Sequence, residues 1–163
     1  MKTKLVSIFL LLLVVSSCLR TLPDEELTMA RMPYNGKEIR LSGCYTTILT
    51  QESKYIDYTF FYSNGVVLSF SDFPNIEQKN QIAEGIWNSK CYWGIFQVEN
   101  NIIKVQRWDF TDDTFVRQYI VKNEKYTIVN DTTLSYENSR DYRNTYYFKK
   151  FSPKPDSTNV FIK

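Results

Sequence analysis

The chain has no histidine among its 163 residues. That excludes a histidine general base, a Ser-His-Asp or Cys-His nucleophile system, and every imidazole metal ligand. Glycine is scarce, with five residues, and none forms a phosphate-cradling loop. The three cysteines, Cys18, Cys44 and Cys91, are too far apart for a CxxC redox or zinc motif. No Lys/Arg-rich block exists either. The whole chain carries 20 Lys+Arg and 18 Asp+Glu, and setting aside Lys2 and Lys4 leaves 18 of each. A balanced charge excludes a nucleic-acid footprint. No cofactor is implied. The acids Asp57, Asp72, Glu84, Asp109, Asp112 and Asp113 show no spacing that selects a carboxylate pair for glycoside hydrolysis. The expectation is a protein that is not an enzyme.

The longest apolar run, Leu5 to Val15, is also too short for a transmembrane helix, which needs about 20 residues. It follows a positive start, Lys2 and Lys4, and precedes Val15-Ser16-Ser17-Cys18. That stretch resembles a bacterial lipobox, where a precursor is cut before a cysteine that receives acyl chains such as palmitate. The expectation is a signal peptide over 1–17, a lipidated tether over 18–38, and a membrane partner reached through the acyl chains on Cys18. In the tether, Pro23, Pro33 and Gly36 oppose regular structure, and Asp24-Glu25-Glu26 is acidic. The expected location is the outer membrane, on its periplasmic or cell-surface face.

From Leu41 onward the residues are those of β-structure. Aromatics make up 16% of the chain, with 12 Tyr and 11 Phe, and β-branched residues are frequent. Strands are expected near 41–50, 55–63, 66–71, 90–98, 102–109, 114–122, 125–130, 132–136 and 143–151. The connectors are turn-like: Ser63-Asn64-Gly65, Glu99-Asn100-Asn101, Thr111-Asp112-Asp113, Lys122-Asn123-Glu124 and Asn130-Asp131. Asn75-Ile76-Glu77-Gln78 has capping-box spacing, which predicts a short helix over 76–84 between the third and fourth strands. The fold class is therefore all-β: an antiparallel meander closing into a barrel of about eight strands. Closure removes the exposed edges of such a sheet. The domain spans 39–152, with a tail over 153–163.

Three stretches carry a family resemblance: Gly43-Cys44-Tyr45; Phe60-Phe61-Tyr62-Ser63-Asn64-Gly65-Val66-Val67; and Trp93-Gly94-Ile95-Phe96 leading into Asn100-Asn101-Ile102. Together they resemble the small lipocalin-like lipoproteins of Bacteroidota, over about residues 41–151. The acidic patch after Cys18 looks like the surface-export signals of such lipoproteins. The resemblance implies a lipocalin-like barrel. True lipocalins carry Gly-x-Trp where this chain has Tyr45. An eight-stranded barrel either fills with side chains or holds one small ligand. Two functions follow: binding a small hydrophobic or amphiphilic ligand, or serving as an envelope structural or protein- or glycan-binding module with a filled barrel.

A hairpin turn centred on Asp112 would place Arg107 opposite Arg117, Val105 opposite Tyr119, Ile103 opposite Val121 and Asp109 opposite Phe115. Facing arginines repel unless an anion lies between them. Arg117-Gln118-Tyr119 also looks like the Arg-x-Tyr with which fatty-acid-binding barrels hold a carboxylate. The candidate ligand site is thus Arg107 and Arg117 on an acidic head, Tyr119 as a donor, and Val105, Phe115 and Val121 along the tail. Asp109 could neutralise Arg117 instead, and a one-residue slip would destroy the pairing. Cys44 and Cys91 both fall in expected strands. They could form a disulfide in an exported protein, or be two small buried apolar residues. Asp131-Thr132-Thr133 and Asp156-Ser157-Thr158 resemble O-glycosylation sites, at Thr132 and Ser157.

Overall fold

The computed structural model describes residues 20–21, 23–47, 56–72, 88–111, 116–137 and 143–163; at Arg20, Thr21, Asp72, Val116 and Arg117 it describes the backbone alone. The expected signal peptide, Cys18, the 76–84 helix and Phe115 lie outside these residues.

In chain order the elements are β1 (Arg20–Thr21), β2 (Gly43–Thr47), β3 (Ile56–Phe61), β4 (Val66–Asp72), a 3-10 turn (Lys90–Tyr92), β5 (Trp93–Glu99), β6 (Ile102–Phe110), β7 (Val116–Arg117), β8 (Tyr119–Asn130), β9 (Thr133–Glu137) and β10 (Arg143–Lys150). Eight of the strands close a barrel in the order β10-β2-β3-β4-β5-β6-β8-β9. Each adjacent pair is antiparallel, and β9 pairs with β10 to close the ring. The expected meander and closure are therefore present. β1 and β7 form a separate two-stranded parallel ladder.

Turn chemistry sets the hairpins at one end. Asn100 and Asn101 both hold positive φ, 51° and 61°, which matches the strand twist in a two-residue turn. Gly65 sits at φ 81° between β3 and β4, and its amide donates to the Tyr62 carbonyl at 3.0 Å.

Two expected strands, 114–122 and 125–130, prove to be a single twelve-residue strand, β8, preceded by the short β7. The expected turn Lys122-Asn123-Glu124 is continuous strand, because its polar residues have partners there: Lys122 lies opposite Arg107, and Glu124 opposite Val105. The β6–β8 ladder begins at Phe110 with Tyr119, while residues 116–117 pair with β1. The register therefore differs by five residues from the expected one, since Arg107 faces Lys122 and not Arg117. An odd shift exchanges the faces of β8.

The barrel holds two apolar layers. Inside, Tyr45, Phe61, Phe96, Ile103, Tyr126 and Leu134 form a buried cluster. Tyr34, Ile39 and Leu41, from the segment before β2, pack against it. The second layer is on the outer wall, where Phe60, Leu68, Phe70 and Trp93 are buried beneath Phe151, Phe161 and Ile162 of the C-terminal tail. The Phe60 and Phe151 rings meet edge-on at 5.2 Å.

Residues 23–38, read from the sequence as a spacer, run along the barrel wall. The Trp108 indole donates to the Glu25 carbonyl at 2.8 Å. The Val121 amide donates to the Glu25 carboxylate at 2.6 Å, and the Thr28 and Met29 amides donate to Gln106 Oε1 at 2.7 and 2.8 Å. This strap ends near the β3–β4 turn, where the Tyr34 amide donates to the Ser63 carbonyl.

Candidate functional site

The interior changes character along the barrel axis. At the end of the 62–65, 100–101 and 131–132 turns it is aromatic and sealed by the segment before β2. The Tyr45 hydroxyl donates to the Asp131 carbonyl at 2.6 Å and accepts from the Arg40 amide at 2.9 Å. Towards the opposite end, alternate residues of the same strands turn polar. Asp57 and Thr59 on β3 lie opposite Ser71 and Ser69 on β4. Their side chains bond directly: Ser71 to Asp57 at 2.5 Å, and Thr59 with Ser69 at 3.1 Å.

Arg107 on β6 and Glu124 on β8 are diagonal neighbours on the inner face of these adjacent strands. The guanidinium reaches Glu124 Oε1 through Nε at 2.9 Å and through a terminal nitrogen at 2.8 Å. The other carboxylate oxygen accepts from the Tyr126 hydroxyl at 3.2 Å. Burial works against the Arg107 charge, and Glu124 more than restores it, so its pKa is raised. Gly94 lies opposite Arg107 on β5. A Cβ there would meet Arg107 Cβ and the Gln106 carbonyl at 2.5 Å each, so the close approach of β5 and β6 at this point requires glycine.

Asp109 pairs with Lys122 one step further out. Burial raises the Asp109 pKa, but Lys122, the Phe110 amide and Arg107 together hold it below the ordinary carboxylate value. Across the barrel, the Tyr146 hydroxyl donates to Asp57 Oδ2 at 3.3 Å. The rings of Tyr126, Tyr136 and Tyr146 cluster, with centroids 5.1 to 6.4 Å apart. Burial first, and the neighbouring carboxylates second, push all three phenols up.

The charges of this polar end can be counted by partner. Arg107 balances Glu124, and Lys122 balances Asp109. Asp57 remains, held by the hydroxyls of Ser71 and Tyr146. Among the described residues the surplus is therefore negative. Such a ring offers hydroxyls, a carboxylate and a tyrosine floor, and suits a hydroxyl-bearing or cationic group better than a carboxylate.

The residues proposed from sequence divide accordingly. Arg107 and Val105 face the interior, and Val105 is buried there. Tyr119 and Val121 do not join them. They lie on the opposite face of β8 and meet the strap, since the Tyr119 amide donates to Asp24 and its ring packs on Phe110 at 5.3 Å. The Arg117 backbone pairs with Thr21, and its side chain lies outside the description. The acidic-head clamp of two facing arginines is thus replaced by an Arg107–Glu124 ion pair.

No disulfide joins Cys44 and Cys91; they are the alternative, two separate thiols. Cys44 is buried on β2, with Sγ 3.9 Å from the Lys149 carbonyl. Cys91 sits in the 3-10 turn beside the Ser89 hydroxyl. Strands β3 and β4 lie between them, roughly 10 Å or more of sheet. That exceeds the reach of a disulfide. Thr132 bonds Asn130 Oδ1 within its turn, and Ser157 accepts from Asn64 Nδ2.

Sequence reasoning passed over Glu124, Ser69 and Ser71, and weighed Asp57 only among acids whose spacing selects no pair. A signal was present: Asp57-Tyr58-Thr59-Phe60 and Ser69-Phe70-Ser71 alternate polar with aromatic at period two. The aromatic face was the natural choice for the interior, yet it lies outside, under the tail. Comparison with known proteins returns no matching family model, no matching curated protein and no matching solved structure.

Proposed function

We propose that this chain is a lipid-anchored, extracytoplasmic, lipocalin-like protein that binds a small amphiphile at the polar end of its barrel and catalyses nothing. One observation carries the ligand reading: polar and ionised side chains line one half of a closed barrel whose other half is apolar. Burying ion pairs and hydroxyls in a core that could be apolar is costly for stability, and a ligand with a polar group and an apolar body fits that gradient. The surplus carboxylate favours a hydroxyl or ammonium head, in place of the fatty-acid head suggested by Arg-x-Tyr. The anchor reading rests on the lipobox alone, and the non-catalytic reading on the lack of histidine.

The second reading is a filled barrel serving as an envelope structural or partner-binding module. It is favoured by the packed aromatic cluster around Tyr45, Phe61 and Phe96. Native mass spectrometry of protein purified from its own cells separates the two. The ligand reading expects an added small-molecule mass that disappears in Ser69→Phe, which fills the polar end. No added mass, or a mass retained in Ser69→Phe, favours the filled barrel. For the anchor, metabolic labelling with a fatty-acid analogue should mark the wild type and not Cys18→Ala. Label retained in the variant would refute lipidation at Cys18.

A further inference from the structure

The strap fixes where the N-terminal side of the domain leaves the barrel. It runs along the wall from Tyr34 at the β3–β4 turn to Pro23 beside β8. Gln118 donates through Nε2 to the Pro23 carbonyl at 2.7 Å, and the Tyr119 amide donates to Asp24 Oδ1 at 3.2 Å. The Glu25 amide donates to the Tyr119 carbonyl at 2.9 Å. Further back, the Arg20 and Thr21 backbone pairs with Val116 and Arg117. These partners lie between the end of β6 and the first turns of β8, at the polar end of the barrel.

Only Leu19 separates Cys18 from Arg20. Even fully extended, that stretch places Cys18 no more than about 7 Å from Arg20. By contrast β6, from Ile102 beside the Asn100-Asn101 turn to Phe110, is roughly 26 Å long. Cys18 is therefore held to the polar end and cannot reach the aromatic one. The same end carries an exposed ring: Phe110 is 44% exposed, and Tyr119 meets it edge-on at 5.3 Å. Aromatic rings of this kind favour the headgroup level of a bilayer. The acids beside them are already bonded, Asp24 to the Tyr119 amide and Lys90, and Glu25 to the Val121 amide.

We propose that the polar end of the barrel is its membrane-facing end, with the Phe110 and Tyr119 rings against the bilayer that holds the acyl chains of Cys18. The proposal rests on the lipobox reading of Cys18. A single residue between the acylated cysteine and the β1–β7 ladder leaves no slack for turning the aromatic end to the lipid. Covering the exposed Phe110 ring adds apolar burial to the contact. The placement also gives an amphiphile at the polar end a route to and from the leaflet that spares its apolar body exposure to water.

The test uses the full chain purified from its own membranes, its acyl mass read by mass spectrometry, in phosphatidylethanolamine/phosphatidylglycerol vesicles that contain a lipid with a nitroxide headgroup. A fluorophore is attached at one introduced cysteine at a time in a Cys91→Ser background, Cys44 being buried. Phe110→Cys on β6 and Arg143→Cys on β10 mark the polar end on two sides of the barrel. Met32→Cys and Val129→Cys, both at exposed positions, mark the aromatic end. Nitroxide quenching should be at least fivefold greater at both polar-end positions. Adding Phe110→Glu should lower the quenching at Arg143→Cys at least twofold. Equal or greater quenching at Met32→Cys would overturn the proposal, by laying the strap side of the barrel on the lipid. Weak quenching at all four positions in acylated, vesicle-bound protein would overturn it by holding the barrel off the bilayer. Unchanged quenching with Phe110→Glu would remove the ring from the contact and overturn it too. Each of these results leaves the anchor reading standing, whereas a chain without acyl mass would overturn both.

Discussion

Gly94 and Arg107 show how one missing side chain shapes the interior. The added Cβ of Gly94→Ala would meet backbone on β6, at the Gln106 carbonyl, and backbone cannot rotate away. Overpacking of this kind costs about 1–3 kcal/mol, so the urea midpoint of Gly94→Ala should fall; an unchanged midpoint would mean that β5 and β6 do not approach so closely here. The ion pair makes a second prediction. Arg107→Met leaves Glu124, with its side chain 10% exposed, facing an apolar neighbour. Loss of one partner from a fully buried pair costs about 3–5 kcal/mol. Arg107 itself is 21% exposed, so roughly 2–3 kcal/mol is expected here. Arg107→Met/Glu124→Met should recover most of that loss in denaturant melts, and failure to recover would mean that Glu124 has another essential partner. The sequence set Arg107 inward only through a pairing with Arg117 that the β6–β8 register does not contain. Its partner was not legible either, because Asn123-Glu124 has turn composition and only the β6–β8 register places Glu124 diagonally beside it.

The C-terminal tail and strand β8 are the two elements whose roles the sequence concealed. Residues 153–163 read from the sequence as a tail outside the domain, yet Pro155 is buried and Phe161 and Ile162 cover the outer layer. Lys154 pins it: the ammonium donates to the Leu41 and Phe61 carbonyls at 2.6 Å each and lies 4.1 Å from the Tyr62 ring centre. Burial depresses the Lys154 pKa from 10.5 to about 8. Between those values the unfolded chain binds more protons than the folded one, so stability should rise with pH across this window. The rise attributable to Lys154 is on the order of 2–3 kcal/mol. Denaturant melts at pH 7.5 and 9.5 should show a gain in the wild type that is smaller in Lys154→Met; equal gains would place the ammonium in solvent. The strands themselves were legible from period-two patterning and from Asn100-Asn101. The split of 114–130 was misplaced because polar residues inside a barrel resemble a turn when no partner strand is in view.

Taken whole, the molecule is a barrel with an aromatic end, a polar end and an aromatic outer wall clasped by both flanking segments. Its closure was legible because strand number and short turns leave few other ways to hide two edges. The orientation of its faces was not, since β3 carries aromatics on both faces, Phe61 inside and Tyr58 and Phe60 outside. Buried tyrosines follow from this architecture, and they set the alkaline limit. Burial raises the phenols of Tyr45, to about 12, and of Tyr62, Tyr126 and Tyr146 still further. Their contribution is complete below pH 10, where the unfolded phenols are still protonated, and is lost as pH rises above 10. Unfolding followed by circular dichroism should therefore steepen above pH 10, and a flat profile to pH 12 would show the phenols to be solvated. The same tyrosines report on the central claim, that the polar end of the barrel takes a ligand. The direct measurement is NMR of ring-labelled tyrosine while the protein is titrated with a lipid extract of its own cells. The Tyr136 and Tyr146 signals should shift saturably while Tyr45 at the sealed end and Tyr58 under the tail stay fixed; no shift at Tyr136 and Tyr146 would contradict the account.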